Sequence, residues 1–226
     1  MLRSEFIQRV YFRATGKPTP PSSGTKKYNQ IVLAGEIYTE QWTTEPNIEW
    51  ESLYDYFSLA ALVTATDTFA LSATIRKVST QEGDTIKIVH TDSRETTYEV
   101  IPADRLQEYK YENAVAVIGR NLVFSSAFTT ESPQFGGTIV VPAYGYATFP
   151  ATDAEDITVD DPNWLVTICA AEFVRNDSTR QNQYPNLVAE ANELMKKMKS
   201  NSGREVDEMY RPSFYYQSDY MSGTEW

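Results

Sequence analysis

Over the first part of the chain, apolar residues recur at steps of three and four. Leu2, Phe6, Ile7, Val10 and Tyr11 make one stripe and predict a first helix. The loop from Gly16 to Gly24, with Pro18, Pro20 and Pro21, ends it, because proline lacks the amide a helix interior needs. A second stripe, Tyr28, Ile31, Val32, Gly35, Tyr38 and Trp42, predicts a second helix that Pro46 stops. Trp50, Leu53, Tyr54 and Phe57 keep helical spacing, so a short third helix is expected around Glu49 to Leu59.

The period then changes to two. Phe69, Leu71, Ala73 and Ile75 alternate with Thr, Ala and Ser and predict one half-buried strand. Turn residues at Glu82 to Asp84 and Thr91 to Glu95 bracket strands over 85–91 and 97–101. Pro102 is expected to open a short helix through Leu106. Gly119, Arg120 and Asn121 join strands 114–118 and 122–126 as a hairpin, and 138–144 completes the set. Helical period returns at Asp160-Asp161-Pro162, a carboxylate cap followed by proline at the first helical position. The predicted buried face is Trp164, Leu165, Ile168, Cys169, Ala171 and Phe173. A last helix opens at Tyr184-Pro185, carries Leu187, Val188, Ala191, Leu194, Met195 and Met198 inward, and stops near Gly203.

The expected architecture is therefore α+β. Residues 1–64 supply the N-terminal helices of a bundle, 65–150 an inserted antiparallel β sandwich or barrel, and 151–203 the C-terminal helices. Residues 204–226 form an extended C-terminal arm. The arm lacks a helical stripe yet holds Tyr210, Phe214, Tyr215, Tyr216, Tyr220 and Trp226. That much aromatic area needs a surface to cover it, either the chain's own core or a neighbour, so these six residues are the candidate partner interface. Tyrosine, at 15 residues, outnumbers phenylalanine (10) and tryptophan (4), and it is enriched where a surface is apolar at one end and wet at the other.

Composition narrows the chemistry. Thirty-one acidic against 20 basic residues give −11, which offers no overall attraction for nucleic acid. One cysteine, Cys169, rules out an intrachain disulfide and a cysteine-based zinc site, and it is expected to be an inert buried thiol. One histidine, His90, leaves no second imidazole for a usual metal set or triad; it is expected to be exposed and without function. No signal or membrane segment is expected, so the chain reads as soluble. Thr15-Gly16-Lys17 and Gly136-Gly137 lack the strand and helix context of phosphate loops. Asp153, Glu155, Asp156, Asp160 and Asp161 cluster before a helix. They could act as acid and base or hold calcium, but the spacing matches no calcium loop, and a solvated loop ending in a cap is the plainer reading. The chain is expected to be no enzyme and to need no cofactor and no metal.

Charge is also segregated. Arg3, Arg9, Arg13, Lys17, Lys26 and Lys27 face a single acid, Glu5, over residues 1–30; Glu36, Glu40, Glu45, Glu49, Glu51 and Asp55 face no base over 31–60. Each run is ordinary for a solvated face, and the two together could set register between identical subunits.

Two segments carry a family resemblance. One is Val159-Asp160-Asp161-Pro162-Asn163-Trp164-Leu165-Val166 followed by 170–177. The other is Tyr184-Pro185-Asn186-Leu187 followed by 191–198. Both resemble the C-terminal helical segment of tailed-bacteriophage head–tail connector proteins, the adaptor or neck proteins that form a ring under the portal. The order of helices, strand-rich middle, paired helices and tail is similar too. The resemblance implies a virion structural protein made in the host cytoplasm, a dodecameric ring contacting the portal protein and a downstream tail or neck protein. DNA would be only transiting cargo, and a ring that multiplies −11 twelvefold repels phosphate. Two alternatives come from the residues alone. A carbohydrate- or receptor-binding β module would use aromatics such as Tyr144 and Tyr146, and a carboxylate hydrolase would use the 153–161 cluster.

Overall fold

The structure is a computed structural model that describes residues 1–46, 48–61, 66–81, 83–110, 112–125 and 137–205. The fold is α+β, in two compact units: Met1–Glu51 with the chain from Pro150 on, and Ser52–Phe149.

The first unit holds four helices: α1 (Arg3–Thr15), α2 (Lys26–Thr43), α3 (Pro162–Arg175) and α4 (Tyr184–Ser202). Gly16 ends α1 in the left-handed region at φ 72°, where a side chain would be strained. The Thr25 hydroxyl caps α2 by accepting from the Tyr28 amide at 3.3 Å. Helix α3 is the centre of the unit, packed by α1, α2 and α4. Its buried residues, Trp164, Leu165, Val166, Thr167, Cys169, Ala170, Ala171 and Val174, cover most of its circumference. Ile168 and Phe173, expected inward, are only half-buried. A helix that is apolar nearly all round must be wrapped by others. Helix α4 keeps its predicted stripe, but only Ala191 and Met198 are buried; Leu187, Val188, Leu194 and Met195 are half-covered. Two ion pairs, Arg13 with Glu190 and Lys199 with Glu45, tie α4 to α1 and to the chain just after α2.

The Asp161 carboxylate accepts from the Asn163 amide at 2.9 Å, with Pro162 opening α3. Removing this cap exposes an orphan helix-end amide, so Asp161→Ala is expected to cost about 1 kcal/mol in chemical denaturation without altering the fold. An unchanged midpoint would mean that the cap contributes nothing.

The expected third helix is absent. Residues 48–61 instead form β1 (Ile48–Trp50), a 3-10 turn at Glu51–Leu53 and β2 (Tyr54–Ala61). The helical spacing of Trp50, Leu53, Tyr54 and Phe57 is a coincidence of a second pattern, Phe57 and Leu59 alternating with Tyr54, Tyr56 and Ser58. The change from helix to strand therefore comes near residue 48 and not near 64. Strand β1 pairs antiparallel with β10 (Gly203–Glu205), Trp50 against Gly203 and Ile48 against Glu205.

The second unit is an eight-stranded sheet. Its further strands are β3 (Thr68–Ala70), β4 (Ile75–Val78), β5 (Ile86–Val89), β6 (Glu95–Ile101), β7 (Ala114–Ile118), β8 (Asn121–Phe124) and β9 (Thr138–Gly145). The order is β2-β9-β5-β6-β7-β8-β3, with β4 pairing β9. The single strand expected over Phe69 to Ile75 is thus two: β3 pairs β8 and β4 pairs β9. The sheet is also not purely antiparallel, since β6 and β7 run parallel, with Glu99 level with Ala114. The connection from 102 to 113 has the dozen residues such a crossover needs, and among its described residues the helical part is a 3-10 turn at Ala103–Arg105. The β7–β8 hairpin turns through Gly119 and Arg120, with Gly119 at φ 61° as a II′ turn requires. One core lies against one face of the sheet. It takes Ile86 and Ile88 from β5, Tyr98 from β6, Leu122 and Phe124 from β8, and Ile139, Val141 and Ala143 from β9. Strands far apart in the order share this core, so the sheet must curl around it.

Candidate functional site

Asp153, Glu155, Asp156, Asp161, His90 and Cys169 are each bonded or buried within the fold. In the acidic loop, Arg3 is buried and donates to the Pro150 carbonyl at 2.9 Å and to the Ala151 carbonyl, with Asp153 3.5 Å from its Nε. A buried guanidinium needs such partners. The Tyr28 hydroxyl donates to Asp153 at 2.7 Å, and burial, then that hydrogen bond, raises the phenol's pKa. Asp156 lies 3.1 Å from the Met1 amine. Glu155 accepts from the amides of Ala151 (2.8 Å) and Thr152 (3.4 Å). Hydrogen bonds to Thr152 and Ala151 hold its carboxyl below the usual range. Backbone bonds from Arg3 to Glu155 and from Ile157 to Met1 close the clasp. The cluster staples the start of α1 to the approach of α3. Among the described residues, no group of three or more histidine, cysteine, aspartate or glutamate side chains could hold a metal ion.

His90, expected exposed, is buried at 9% exposure. Its amide donates to the Arg94 carbonyl at 2.8 Å across a turn in which Ser93 sits at φ 67°, and its Nε2 lies 2.7 Å from the Thr96 hydroxyl. The tight turn folds the ring against the sheet. Cys169 is fully buried, and desolvation pushes its thiol well above the ordinary value, so it is protonated and unreactive at neutral pH.

One polar constellation escaped the sequence reading. On the ends of β2 and β9, Tyr54 pairs with Tyr144 in register, their rings 5.5 Å apart and edge to face. The Tyr54 hydroxyl donates to Asp84 at 2.8 Å, the Ser79 hydroxyl donates to the other Asp84 oxygen, and Gln81 donates to the Tyr144 hydroxyl. Burial, followed by hydrogen bonds with Tyr56 and Asp84, drives the Tyr54 phenol far above its ordinary range. A phenol held protonated is neither a base nor a nucleophile; here it is a strut. Tyr144 is 2% exposed, so it offers no ring for stacking, whereas Tyr56 and Tyr146 stand 56% and 43% exposed. Strand register brings Tyr54 to Tyr144, and the connection between β4 and β5 brings Ser79, Gln81 and Asp84 to them, a meeting that no local pattern in the sequence marks.

Among the described residues, the exposed large apolar side chains of the first unit are Leu2 and Phe12 on or beside α1, and Leu33 and Ile37 on α2. Phe12 borders an open groove of about 360 Å³ with Glu5, Gln8, Arg9 and Pro18. Glu5 and Arg9, 2.5 Å apart, neutralise each other there. The six aromatics of the expected arm, Tyr210 to Trp226, lie outside the described residues. No helix among the described residues is long and apolar enough to cross a membrane. In comparisons with known proteins, the chain matches no family model and no curated protein.

Proposed function

We propose that the chain is a structural protein of a tailed-phage virion, an adaptor that assembles as a ring of twelve beneath the portal and continues the DNA channel toward the tail. The observation that carries this reading is the pairing of α3 with α4. The two segments that resemble head–tail connectors fold as one packed helix pair, and α4 leaves Leu187, Val188, Leu194 and Met195 half-covered, as a subunit that meets neighbours would. In this reading the four helices are a bundle built from both chain ends, and the curled sheet is the inserted sandwich or barrel. Its partners are the portal protein and the next tail or neck protein, and DNA passes without being held. It needs no cofactor and performs no catalysis, which agrees with candidate acids, imidazole and thiol that are each engaged or buried in the fold. The sugar-binding alternative is weaker, because Tyr144 is buried and only Tyr146 of its two named aromatics is exposed.

The test is to mix the purified chain with its presumptive portal protein and image the product. A ring coaxial with the portal, with mass near twelve times the 25.7 kDa chain, is the expected result. A chain that never joins the portal, or one that stays single and binds sugars, overturns the reading.

A further inference from the structure

Helix α2 carries its charges the wrong way round for an isolated helix. Lys26 and Lys27 occupy its first turn, Glu36 and Glu40 its last two, and neither an acid at the start nor a base at the end offsets them. The helix dipole favours the reverse at both ends, and Glu36 and Glu40, one turn apart, repel each other as well. All four side chains are exposed, and Lys26, Glu36 and Glu40 form no ion pair among the described residues. Leu33 lies between the two charged ends and Ile37 within the acidic one, 56% and 44% exposed on the same ridge. A local arrangement that costs stability, with no compensating ion pair among the described residues, marks a surface shaped for something else.

We propose that this ridge is a self-association surface and that its occupant is α2 of a second copy, laid antiparallel about a two-fold axis at Leu33. Lys26 and Glu40 lie two turns to either side of Leu33, about 10 Å at a rise of 1.5 Å per residue. Antiparallel pairing centred there sets Lys26 of each copy level with Glu40 of the other, while Leu33 meets its twin and each Ile37 packs beside it. An interface of this kind must be complementary to itself, and a helix positive at its start, apolar in the middle and negative at its end meets that condition. Antiparallel pairing also sets each helix's adverse terminal charge beside an opposite one. The apolar area is small, so the dimer is weak and concentration-dependent. A two-fold pair closes on itself; it describes the free chain, not the contact repeated round a ring, and it stands independently of the adaptor reading.

Sedimentation equilibrium of the full chain, without portal protein, tests it. The mass should rise from one chain toward two with concentration. Leu33→Glu should weaken association about tenfold or more, by burying charge against charge. Glu40→Lys should also weaken it, and adding Lys26→Glu to that variant should restore it. Crosslinking supplies a second readout, since the native thiol is buried. Leu33→Cys, on the axis, should oxidise to a covalent dimer, and Lys26→Cys, about 20 Å from its twin, should not. A chain that is monomeric up to its solubility limit overturns the proposal, as does a double charge exchange that restores nothing. Equal crosslinking at both positions overturns the antiparallel geometry. None of these outcomes bears on portal binding.

Discussion

Trp50→Ala destabilises the helical unit by about 3–5 kcal/mol, the expected cost of emptying a large aromatic site. Trp50 has no exposed surface, and its ring stacks on that of Trp42 at 5.1 Å and 27°. Its indole N–H donates to the Trp42 carbonyl at 2.8 Å, one of the acceptors left open at the end of α2. The substitution removes the buried area, the stack and the hydrogen bond together. Because Trp50 also belongs to β1, a collapsed site cannot be refilled without moving the strand paired to β10. Urea unfolding followed by the helix signal in circular dichroism measures the loss. Trp50→Phe separates the contributions: it keeps a ring but not the donor, and should cost nearer 1 kcal/mol, since the Trp42 carbonyl still accepts from the Glu45 amide. A loss below about 1 kcal/mol for the alanine variant would show that the two tryptophans stabilise the unit far less than their burial implies.

Removing the arm should have the largest effect on assembly. A cut after Gly203 would follow from the sequence, but β10 runs to Glu205, so a stop after Glu205 preserves the pairing with β1. The chain of residues 1–205 is expected to melt like the full chain and to lose portal attachment. Burying one aromatic contributes roughly 1.5–3 kcal/mol, and ordering a residue costs on the order of 1–2 kcal/mol. The ordering cost is large beside that gain, so the arm is expected to dock only on a partner surface already formed. Co-sedimentation with the portal protein and a thermal melt, done on the same preparation, give both readouts. If the shortened chain unfolds, the arm belongs to the chain's own core; if it binds the portal unchanged, the partner interface lies elsewhere.

The sequence foretold the elements whose signals are local. Asp161-Pro162 marks the start of α3, Gly16 the end of α1, and Gly119 the hairpin turn, because each acts on its nearest neighbours. Strand β2 was hidden, since over so few residues Tyr54 and Phe57 fit helical spacing as readily as Tyr54 and Tyr56 fit a strand. What decides is β9, more than seventy residues away in the chain, whose backbone pairs with Tyr54 through Ala61. Likewise Ser72 and Thr74 continue the alternation of 69–75, so nothing local marks the break between β3 and β4. The break is fixed by Arg120, which donates to the carbonyls of Ser72 (2.7 Å) and Ile75 (3.1 Å). The chemistry candidates followed the same rule. The burial of Cys169 was readable from its helix face, whereas His90 is buried beside the Thr96 hydroxyl of the neighbouring strand, a contact across the turn that spacing alone does not mark.

The β1–β10 ribbon also decides how the chain bears mechanical load. Ile48 and Glu205 are at one end of it, Trp50 and Gly203 at the other. A pull on the chain beyond Glu205 that is resisted through α2 acts on the same end of both strands, so the pairing peels one bond at a time. The same pull resisted through the chain leaving Trp50 toward the sheet acts on opposite ends, and all the bonds shear together. The ribbon thus yields readily to tension borne by α2 and resists tension borne by the chain leaving Trp50, a directional fuse set by strand register.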